Sequence, residues 1–174
     1  MRFSIFSGRN VARRALATLA LIVALTGCAE LEQLAPGETP AFGGEGEQAI
    51  VTRVIDGDTI DVRLNGRTER VRYIGVNTPE RDEVCYEAAT AANAALVSGQ
   101  QVTLVRDVSE TDSYGRLLRY VYVGDVFVNG EMVADGYAES RAYPPDTRQQ
   151  MYLDSLERAA KAAGRGCHPT GVFD

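Results

Sequence analysis

A β-hairpin followed by a sharp turn is predicted by residues 59–80, which read TIDVRLNGRTERVRYIGVNTPE. Apolar and polar residues alternate strictly across Thr59–Leu64, as expected for a strand with one buried face. Asn65-Gly66 is the strongest short-range signal for a hairpin turn, because the tightest hairpin turns need positive φ at both positions. The returning strand is expected to run from Arg67 to about Val76, and alternation places three of its residues on one face: Arg72, Ile74 and Val76.

The chain is expected to turn where this strand ends. Pro79 has no N–H for a strand ladder and restricts the residue before it, so Glu80 stands on a rigid corner just beyond the strand. A guanidinium at Arg72 and a carboxylate at Glu80 suit phosphate chemistry. The guanidinium can clamp an anion, and the carboxylate can take a proton from water.

The remaining elements extend the hairpin into a domain that covers residues 48–174. Three further strands are expected at residues 48–55, 101–106 and 117–123, and three helices at residues 85–98, 128–135 and 147–163. The last helix is amphipathic, with Tyr152, Leu156, Ala159 and Ala163 on its apolar face. Five short strands with a helix after the third predict a mainly β protein with helices (α+β), built on a five-stranded OB-type barrel with three α-helices. An open sheet is the alternative.

The N-terminal region is typical of an export signal. Residues 1–12 are basic and polar, and the apolar residues 15–25 are too few for a spanning helix, which needs roughly 20 residues. Leu25-Thr26-Gly27-Cys28 resembles a bacterial lipobox, in which the cysteine becomes the lipidated N-terminus. Residues 1–27 are therefore interpreted as a lipoprotein signal peptide. An ordinary signal peptide with a coincidental cysteine is the alternative.

This interpretation makes Cys28 the attachment point of a lipid anchor. Residues 28–47 are rich in Glu, Gly and Pro and predict a flexible tether. The protein is expected to be exported and anchored to a membrane, with its domain facing the periplasm or the cell exterior. Nothing in the sequence suggests more than a monomer.

The charge balance argues against binding nucleic acid through bulk charge. The formal net charge is −6, and residues 1–27 hold four of the 18 basic residues and none of the 24 acidic ones. Without them the chain carries 14 basic and 24 acidic residues, a net charge of −10. Any phosphate-binding function must therefore depend on a local cluster of cations.

Two cysteines remain once Cys28 is assigned to lipidation. An even pair in an exported chain predicts a disulfide between Cys85 and Cys167, which would close a long loop. The alternative is a metal site that includes His168, the only histidine. Two cysteines and one histidine make a poor zinc site without further ligands.

Three polar patches lie at strand ends or in turns, where a rigid scaffold presents functional groups. They are Asp56-Gly57-Asp58-Thr59, Arg72 through Glu80, and Tyr114-Gly115-Arg116. The patches offer carboxylate, amide and carbonyl oxygens that suit Ca²⁺, which takes about six to eight oxygen ligands. They also offer two arginines that could hold a phosphate and its developing charge. Taken singly, Asp-Gly-Asp is a common turn and Thr-Pro-Glu a common helix start.

The three patches, in this order, resemble the signature blocks of the staphylococcal nuclease-like (thermonuclease) family. The resemblance spans roughly residues 48–163 and rests on Val54 to Thr59, Arg72 to Glu80 and Thr111 to Arg116, with Asp135 to Ala138 at a helix end. It implies an OB-fold barrel with three helices. It also implies Ca²⁺-dependent hydrolysis of phosphodiester bonds in DNA and RNA, with low sequence specificity and 3′-phosphates as products.

The resemblance implies a set of metal ligands. Asp58 would bind Ca²⁺ through its carboxylate, Asn77 through its side-chain oxygen and Thr78 through its carbonyl. Asp56 would be a nearby second carboxylate that is either not in direct contact with the ion or reached through water. The best-known member of the family has Asp in place of Asn77, so we expect weaker or less selective calcium binding, with activity retained.

The resemblance also implies catalytic and substrate-binding residues. Glu80 would position or deprotonate the attacking water, while Arg72 and Arg116 would bind the scissile phosphate and stabilise the transition state. Tyr114 would contact a neighbouring phosphate, and Tyr143 is a candidate for stacking a base.

Two departures from the family weaken the expected encounter with long polyanions. One is the acidic net charge, and the other is Ser113, which stands where a lysine often contacts phosphate. The alternative function is a catalytically inactive OB-fold module that binds single-stranded nucleic acid or a protein partner at the cell envelope. Retention of the acidic and arginine positions of all three patches disfavours that alternative.

Overall fold

A barrel of five strands organises the computed structural model, which describes residues 46–174. The described residues contain eight strands: β1 (Glu47–Val54), β2 (Thr59–Leu64), β3 (Arg67–Tyr73), β4 (Val76–Asn77), β5 (Gln101–Val105), β6 (Leu117–Val123), β7 (Val126–Phe127) and β8 (Glu139–Ser140). The barrel is formed by β1, β2, β3, β5 and β6. The helices are α1 (Tyr86–Val97), α2 (Val128–Ala134) and α3 (Gln150–Ala162), and a short 3₁₀ helix covers His168–Thr170.

The predicted signal peptide, the predicted lipidation of Cys28 and the predicted tether up to residue 45 lie outside the described residues. Within residues 46–174, no helix is long and apolar enough to cross a membrane.

The barrel closes through a parallel contact between two strands that are distant in the chain. The strand order is β3-β2-β1-β5-β6, with antiparallel neighbours, and β3 then pairs with β6 in parallel. Closure confirms the predicted OB-type barrel over the open sheet. Its interior is filled by fully buried apolar side chains, among them Ile60, Val62, Val71, Leu104 and Val121. The same closure aligns Arg72 with Leu118, so it brings the second and third polar patches together.

The returning strand of the hairpin is shorter than predicted. β3 ends at Tyr73, the chain turns through Ile74 and Gly75, and β4 then pairs with β8 instead of continuing β3. Gly75 has φ +77°, and a Cβ there would lie 2.6 Å from Leu153 Cδ1 in α3. Both the backbone conformation and the close approach of α3 therefore require glycine. The expectation that Arg72, Ile74 and Val76 share one strand face is wrong for this reason.

The helices lie where the sequence predicts them, with one difference in α3. That helix begins at Gln150 and not at Thr147, and the backbone N–H groups of residues 147 and 148 donate to the Pro145 carbonyl and to Asp107 Oδ2 in the segment before it. Its fully buried residues are Leu153 and Ala160. The predicted apolar face included Ala159 and Ala163, which are exposed.

A disulfide joins the start of α1 to the segment that follows α3. Cys85 and Cys167, separated by 82 residues, form this bond, as the cysteine pairing predicts. Because both sulfurs are used, the alternative of a metal site with His168 is wrong. Closing so long a loop stabilises the fold by about 2–4 kcal/mol in the chain-entropy account.

Candidate active site

Asp58 is a buried carboxylate at the start of β2 whose two oxygens are both engaged. Oδ1 accepts a hydrogen bond from Thr59 Oγ1 at 3.1 Å and pairs with Arg72 Nε at 3.0 Å. Oδ2 accepts from the backbone N–H and the hydroxyl of Thr78, both at 3.0 Å. Burial raises the pKa of Asp58 above its ordinary value, although the Arg72 charge opposes this rise. These contacts fix the carboxylate in one orientation.

The turn that carries Asp58 is held from two directions. The Asp58 N–H donates to Asp56 Oδ1 at 3.1 Å, and Asn93 Nδ2 of α1 donates to the Asp56 carbonyl at 2.8 Å. A Cβ on Gly57 would lie 2.8 Å from the Thr78 side chain, so the turn packs closely against the second patch. The first and second polar patches are thus one structural unit.

Arg72 binds the turn that follows its own strand. Its Nη1 donates to the carbonyls of Tyr73 at 2.7 Å and Val76 at 2.8 Å, and its Nη2 lies 3.4 Å from Asn77 Oδ1. Together with the Asp58 pair, these contacts hold the side chain at 12% exposure. Arg72 is therefore a fixed cation with part of its surface still open.

Glu80 lies where the sequence predicts, on an exposed corner after buried Pro79. Its backbone N–H donates to Glu83 Oε2 at 2.7 Å, and the Glu83 N–H donates to the Glu80 carbonyl at 2.8 Å, which closes a tight turn. Within residues 46–174 the Glu80 carboxylate makes no hydrogen bond or ion pair, so it is accessible to water.

The loop before β6 places Arg116 by means of Asp112. Asp112 Oδ1 accepts from the backbone N–H groups of Tyr114 and Arg116, both at 2.9 Å, and Oδ2 accepts from Arg116 Nε at 2.7 Å. Burial acts to raise the pKa of Asp112, but these hydrogen bonds outweigh it and hold the pKa below its usual value. The Arg116 guanidinium also lies 5.5 Å from the centre of the Tyr114 ring.

A pocket of about 230 Å³ gathers the predicted phosphate-binding side chains. Arg72, Arg116, Tyr114 and Tyr143 line it together, and Asp112 lies beside them. The Tyr114 side chain is 84% exposed and Tyr143 is 44% exposed, as aromatic side chains at the mouth of a groove would be.

The predicted metal ligands Asp58 and Asn77 contact Arg72 but do not line this pocket, and neither Thr78 nor Glu80 lines it. Arg72 is the link between the two groups.

The donor atoms around Asp58 suit a hard cation. They are the carboxylates of Asp56 and Asp58, the Asn77 side-chain oxygen and the Thr78 carbonyl, an all-oxygen set of the kind that Ca²⁺ prefers. No group of three or more His, Cys, Asp or Glu side chains able to hold a metal ion occurs within residues 46–174. The oxygens are chemically suited to Ca²⁺, but four contacts already occupy the lone pairs of the Asp58 carboxylate, so a cation bound there would displace the Arg72 contact or a hydroxyl, and water would complete its coordination.

Three residues that support the site were not predicted. Asp112 could have been inferred, because an Asp before a Ser-Tyr-Gly turn commonly accepts hydrogen bonds from the backbone ahead of it. Asn93 lies in the alanine-rich sequence of α1, and no sequence feature indicated that this polar residue would be fully buried. Glu139 is not part of any local sequence motif, and only the pairing of β4 with β8 places it beside Asn77.

Comparison with known proteins assigns the chain to a family. The family model described as "Staphylococcal nuclease homologue" matches residues 70–167, which include Arg72, Glu80, Arg116 and both disulfide cysteines. The chain belongs to this family. Membership confirms the resemblance that the three sequence blocks predict.

Individual members of the staphylococcal nuclease homologue family align over much of the chain. A thermonuclease of Staphylococcus intermedius is 36% identical over 67% of this chain and 73% of its own length. A thermonuclease of Staphylococcus hyicus is 32% identical over 72% of this chain and 79% of its own length. Endonuclease YncB of Bacillus subtilis (strain 168) is 39% identical over 60% of this chain and 54% of its own length.

Proposed function

We propose that this protein is a nuclease, a Ca²⁺-dependent phosphodiesterase that hydrolyses DNA and RNA with low sequence specificity and leaves 3′-phosphates. One observation carries the proposal. Arg72 lines a pocket with Arg116 and two tyrosines, and the same guanidinium pairs with the buried Asp58 carboxylate. A phosphate in the pocket would therefore lie next to the oxygen donors of the cation site. The relatives named thermonuclease and endonuclease support the same activity.

The two arginines are suited to stabilise charge that develops on a phosphate. Asp112 engages Arg116 through Nε, which leaves both terminal nitrogens for phosphate oxygens. Arg72 is held by its strand-end carbonyls before any substrate arrives, so little reorganisation is needed on binding. Loss of one such preorganised donor typically lowers kcat about 10²–10³-fold.

Glu80 is suited to act as the general base. Its carboxylate stands on the corner after Pro79, and Thr78 anchors that corner through two hydrogen bonds to Asp58. A positioned base of this kind contributes about 10²–10⁴-fold to the rate by taking a proton from the attacking water.

The oxygen donors of the first two patches would hold the calcium ion. Ca²⁺, when bound, supplies positive charge that polarises a phosphate oxygen. Asp58, Asn77 Oδ1 and the Thr78 carbonyl would be its ligands, and Asp56 would reach it through water. Because Asn77 is neutral, we expect weaker or less selective calcium binding than in a relative with Asp at that position.

The cellular setting forms a second part of the proposal. We infer that the protein is an exported lipoprotein, anchored through Cys28, with the folded domain held away from the membrane as a monomer. Cys28→Ala is expected to move the protein from the membrane fraction to the soluble fraction. Retention of the variant in the membrane fraction would contradict the lipid anchor.

A cleavage assay on the purified full-length protein tests the activity. DNA and RNA are incubated with the protein in Ca²⁺ and in chelator at mildly alkaline pH, and the chemistry of the product ends is determined. Glu80→Gln should lower the rate about 10²–10⁴-fold and Arg116→Ala about 10²–10³-fold. Glu87→Gln and Arg63→Ala, at exposed positions outside the site, are the matched controls.

Each outcome of this assay bears on a different part of the proposal. Absence of cleavage in Ca²⁺ would overturn the proposal that the protein is an enzyme. Binding of single strands without cleavage would favour the inactive OB-fold module. Equal cleavage rates in Ca²⁺ and in chelator would contradict the proposed calcium dependence. Full activity of Glu80→Gln or Arg116→Ala would refute the role given to that residue.

A further inference from the structure

The two-residue strands β4 and β8 form a small sheet of their own, separate from the barrel. Asn77 and Glu139 are directly opposite one another in this antiparallel pair, although 62 residues separate them in the chain. Asn77 Nδ2 donates to Glu139 Oε1 at 3.0 Å. Directly opposed residues of paired strands keep their side chains within contact distance, so the backbone itself sets this contact.

The neighbours of Asn77 determine which way its amide points. On one side lies Arg72 Nη2, which can only donate, and on the other lies the Glu139 carboxylate, which can only accept when ionised. A flipped amide would set its NH₂ against the guanidinium and its oxygen against the carboxylate, and both contacts would be repulsive. The amide oxygen is therefore directed toward Arg72, whose Nε in turn pairs with Asp58, the carboxylate ligand of the proposed cation site.

Glu139 is itself held in place. Arg141 Nη1 pairs with the same Oε1 at 3.1 Å, and the Arg141 N–H donates to the Gly75 carbonyl at 2.9 Å, which continues the ladder between the two short strands. The Glu139 side chain is only 20% exposed, so solvent screens its charge less than that of a free surface carboxylate, although the exposed Arg141 offsets part of that charge.

We propose that Glu139 is a positioning residue for the cation site. Its carboxylate orients the Asn77 amide so that Oδ1 is presented as a ligand oxygen. It also places a negative charge next to a position where the ligand is neutral. This inference rests on the proposed function, since it assigns Glu139 to the calcium site described there. Partners that orient a metal ligand in this way typically change metal affinity about 10–100-fold when removed.

Calorimetric titration of Ca²⁺ into the full-length protein tests the inference without a cleavage readout. Glu139→Ala, which removes both the acceptor and the charge, should weaken Ca²⁺ binding about 10–100-fold. Glu139→Gln, whose amide oxygen can still accept from Asn77, should weaken it less. Asp154→Asn is the matched control, because Asp154 is a nearby acid bonded to Ser140 and Gln150 and not to Asn77. We expect its affinity to stay within about twofold of the parent protein.

A double-mutant cycle separates positioning from a general effect of charge or folding. An Asp at position 77 presents an oxygen in either orientation and cannot donate to Glu139. Glu139→Ala should therefore weaken Ca²⁺ binding in the Asn77 protein and should leave it unchanged or strengthen it in the Asn77→Asp background. Equal losses in both backgrounds would overturn the positioning role.

The results also distinguish this inference from the proposed function. If the parent protein binds Ca²⁺ and both Glu139 variants bind it within about twofold as tightly, the inference alone fails. If the parent protein binds no Ca²⁺, the calcium site fails and the inference fails with it. Thermal unfolding without Ca²⁺ reports whether each variant is folded. Should Glu139→Ala be unfolded, Glu139→Leu, which also removes the acceptor, is taken through the same cycle, and equal losses of Ca²⁺ affinity in both backgrounds would refute the proposal.

Discussion

Asn93 couples helix α1 to the turn that carries Asp56, and its replacement should destabilise the domain strongly. Asn93 is fully buried. Its Oδ1 accepts from the Tyr73 hydroxyl at 2.9 Å, and its Nδ2 donates to the Asp56 carbonyl at 2.8 Å. Burial raises the pKa of Tyr73 far above its usual value, so the hydroxyl stays protonated and needs an acceptor. Asn93→Ala removes both partners at once.

The expected cost follows from the groups left without a partner. A buried donor or acceptor that loses its hydrogen bond costs about 1–3 kcal/mol, and Asn93→Ala strands the Tyr73 hydroxyl and the Asp56 carbonyl. We therefore expect a loss of about 2–6 kcal/mol in the free energy of unfolding. For a domain of this size, roughly 4 °C of melting temperature corresponds to each kcal/mol, so the midpoint should fall by about 8–24 °C.

Urea unfolding with the disulfide intact measures this loss, with Tyr73→Phe and the double variant completing a cycle. Tyr73→Phe strands only the Asn93 side-chain oxygen and should cost about 1–3 kcal/mol. The double variant should cost less than the sum of the single ones, because the hydroxyl that Asn93→Ala strands is then absent. Strict additivity, or a loss under about 1 kcal/mol for Asn93→Ala, would refute the reasoning.

Two further predictions concern the loop that carries Arg116. Asp112→Asn keeps an oxygen for the backbone but sets an NH₂ against Arg116 Nε, so we expect kcat to fall about tenfold or more through loss of a charge-assisted hydrogen bond. The fall should vanish in the Arg116→Ala background, and an equal fall there would contradict it.

Hydrogen bonds from Arg119 and Arg106 lower the pKa of Glu110. Its contribution to stability is therefore present above the ordinary glutamate pKa and is lost as the pH falls through the lowered value. Glu110→Gln should flatten that acid-side decline in melting temperature, and an unchanged slope would disprove the link.

The elements that the sequence predicts well are those fixed by local chemistry. β2 occupies the predicted residues because apolar and polar residues alternate along it and the Asn65-Gly66 turn ends it. The end of β3 was missed because the chain leaves the barrel at Gly75 to pair as β4 with β8, a strand 62 residues further along the chain. The buried face of α3 was misplaced for a related reason, since packing against neighbours sets the rotation of a short helix more finely than periodicity does.

The same distinction applies to the candidate site. The three polar patches are continuous in sequence, so their residues could be proposed without a structure. Asp112 lies four residues from Arg116 and was within reach of local reasoning. The contact between Asn77 and Glu139 was not, because it exists only once β4 and β8 pair. Sequence patterns describe contacts with distant residues least well, and here such a contact involves Asn77, the proposed ligand at which we expect this sequence to differ from the family.

The pairing of arginines with acids explains how the proposed phosphate pocket can occur in an acidic chain. Arg72 pairs with Asp58, and Arg116 pairs with Asp112. At long range each carboxylate cancels the positive charge of its arginine, and salt would screen that charge in any case. At short range the carboxylate holds the guanidinium in a fixed orientation. Recognition of a phosphate within a few ångströms depends on those oriented donors. Net charge measures the long-range field, so it limits how fast long nucleic acids are captured and says little about whether a captured phosphate is bound.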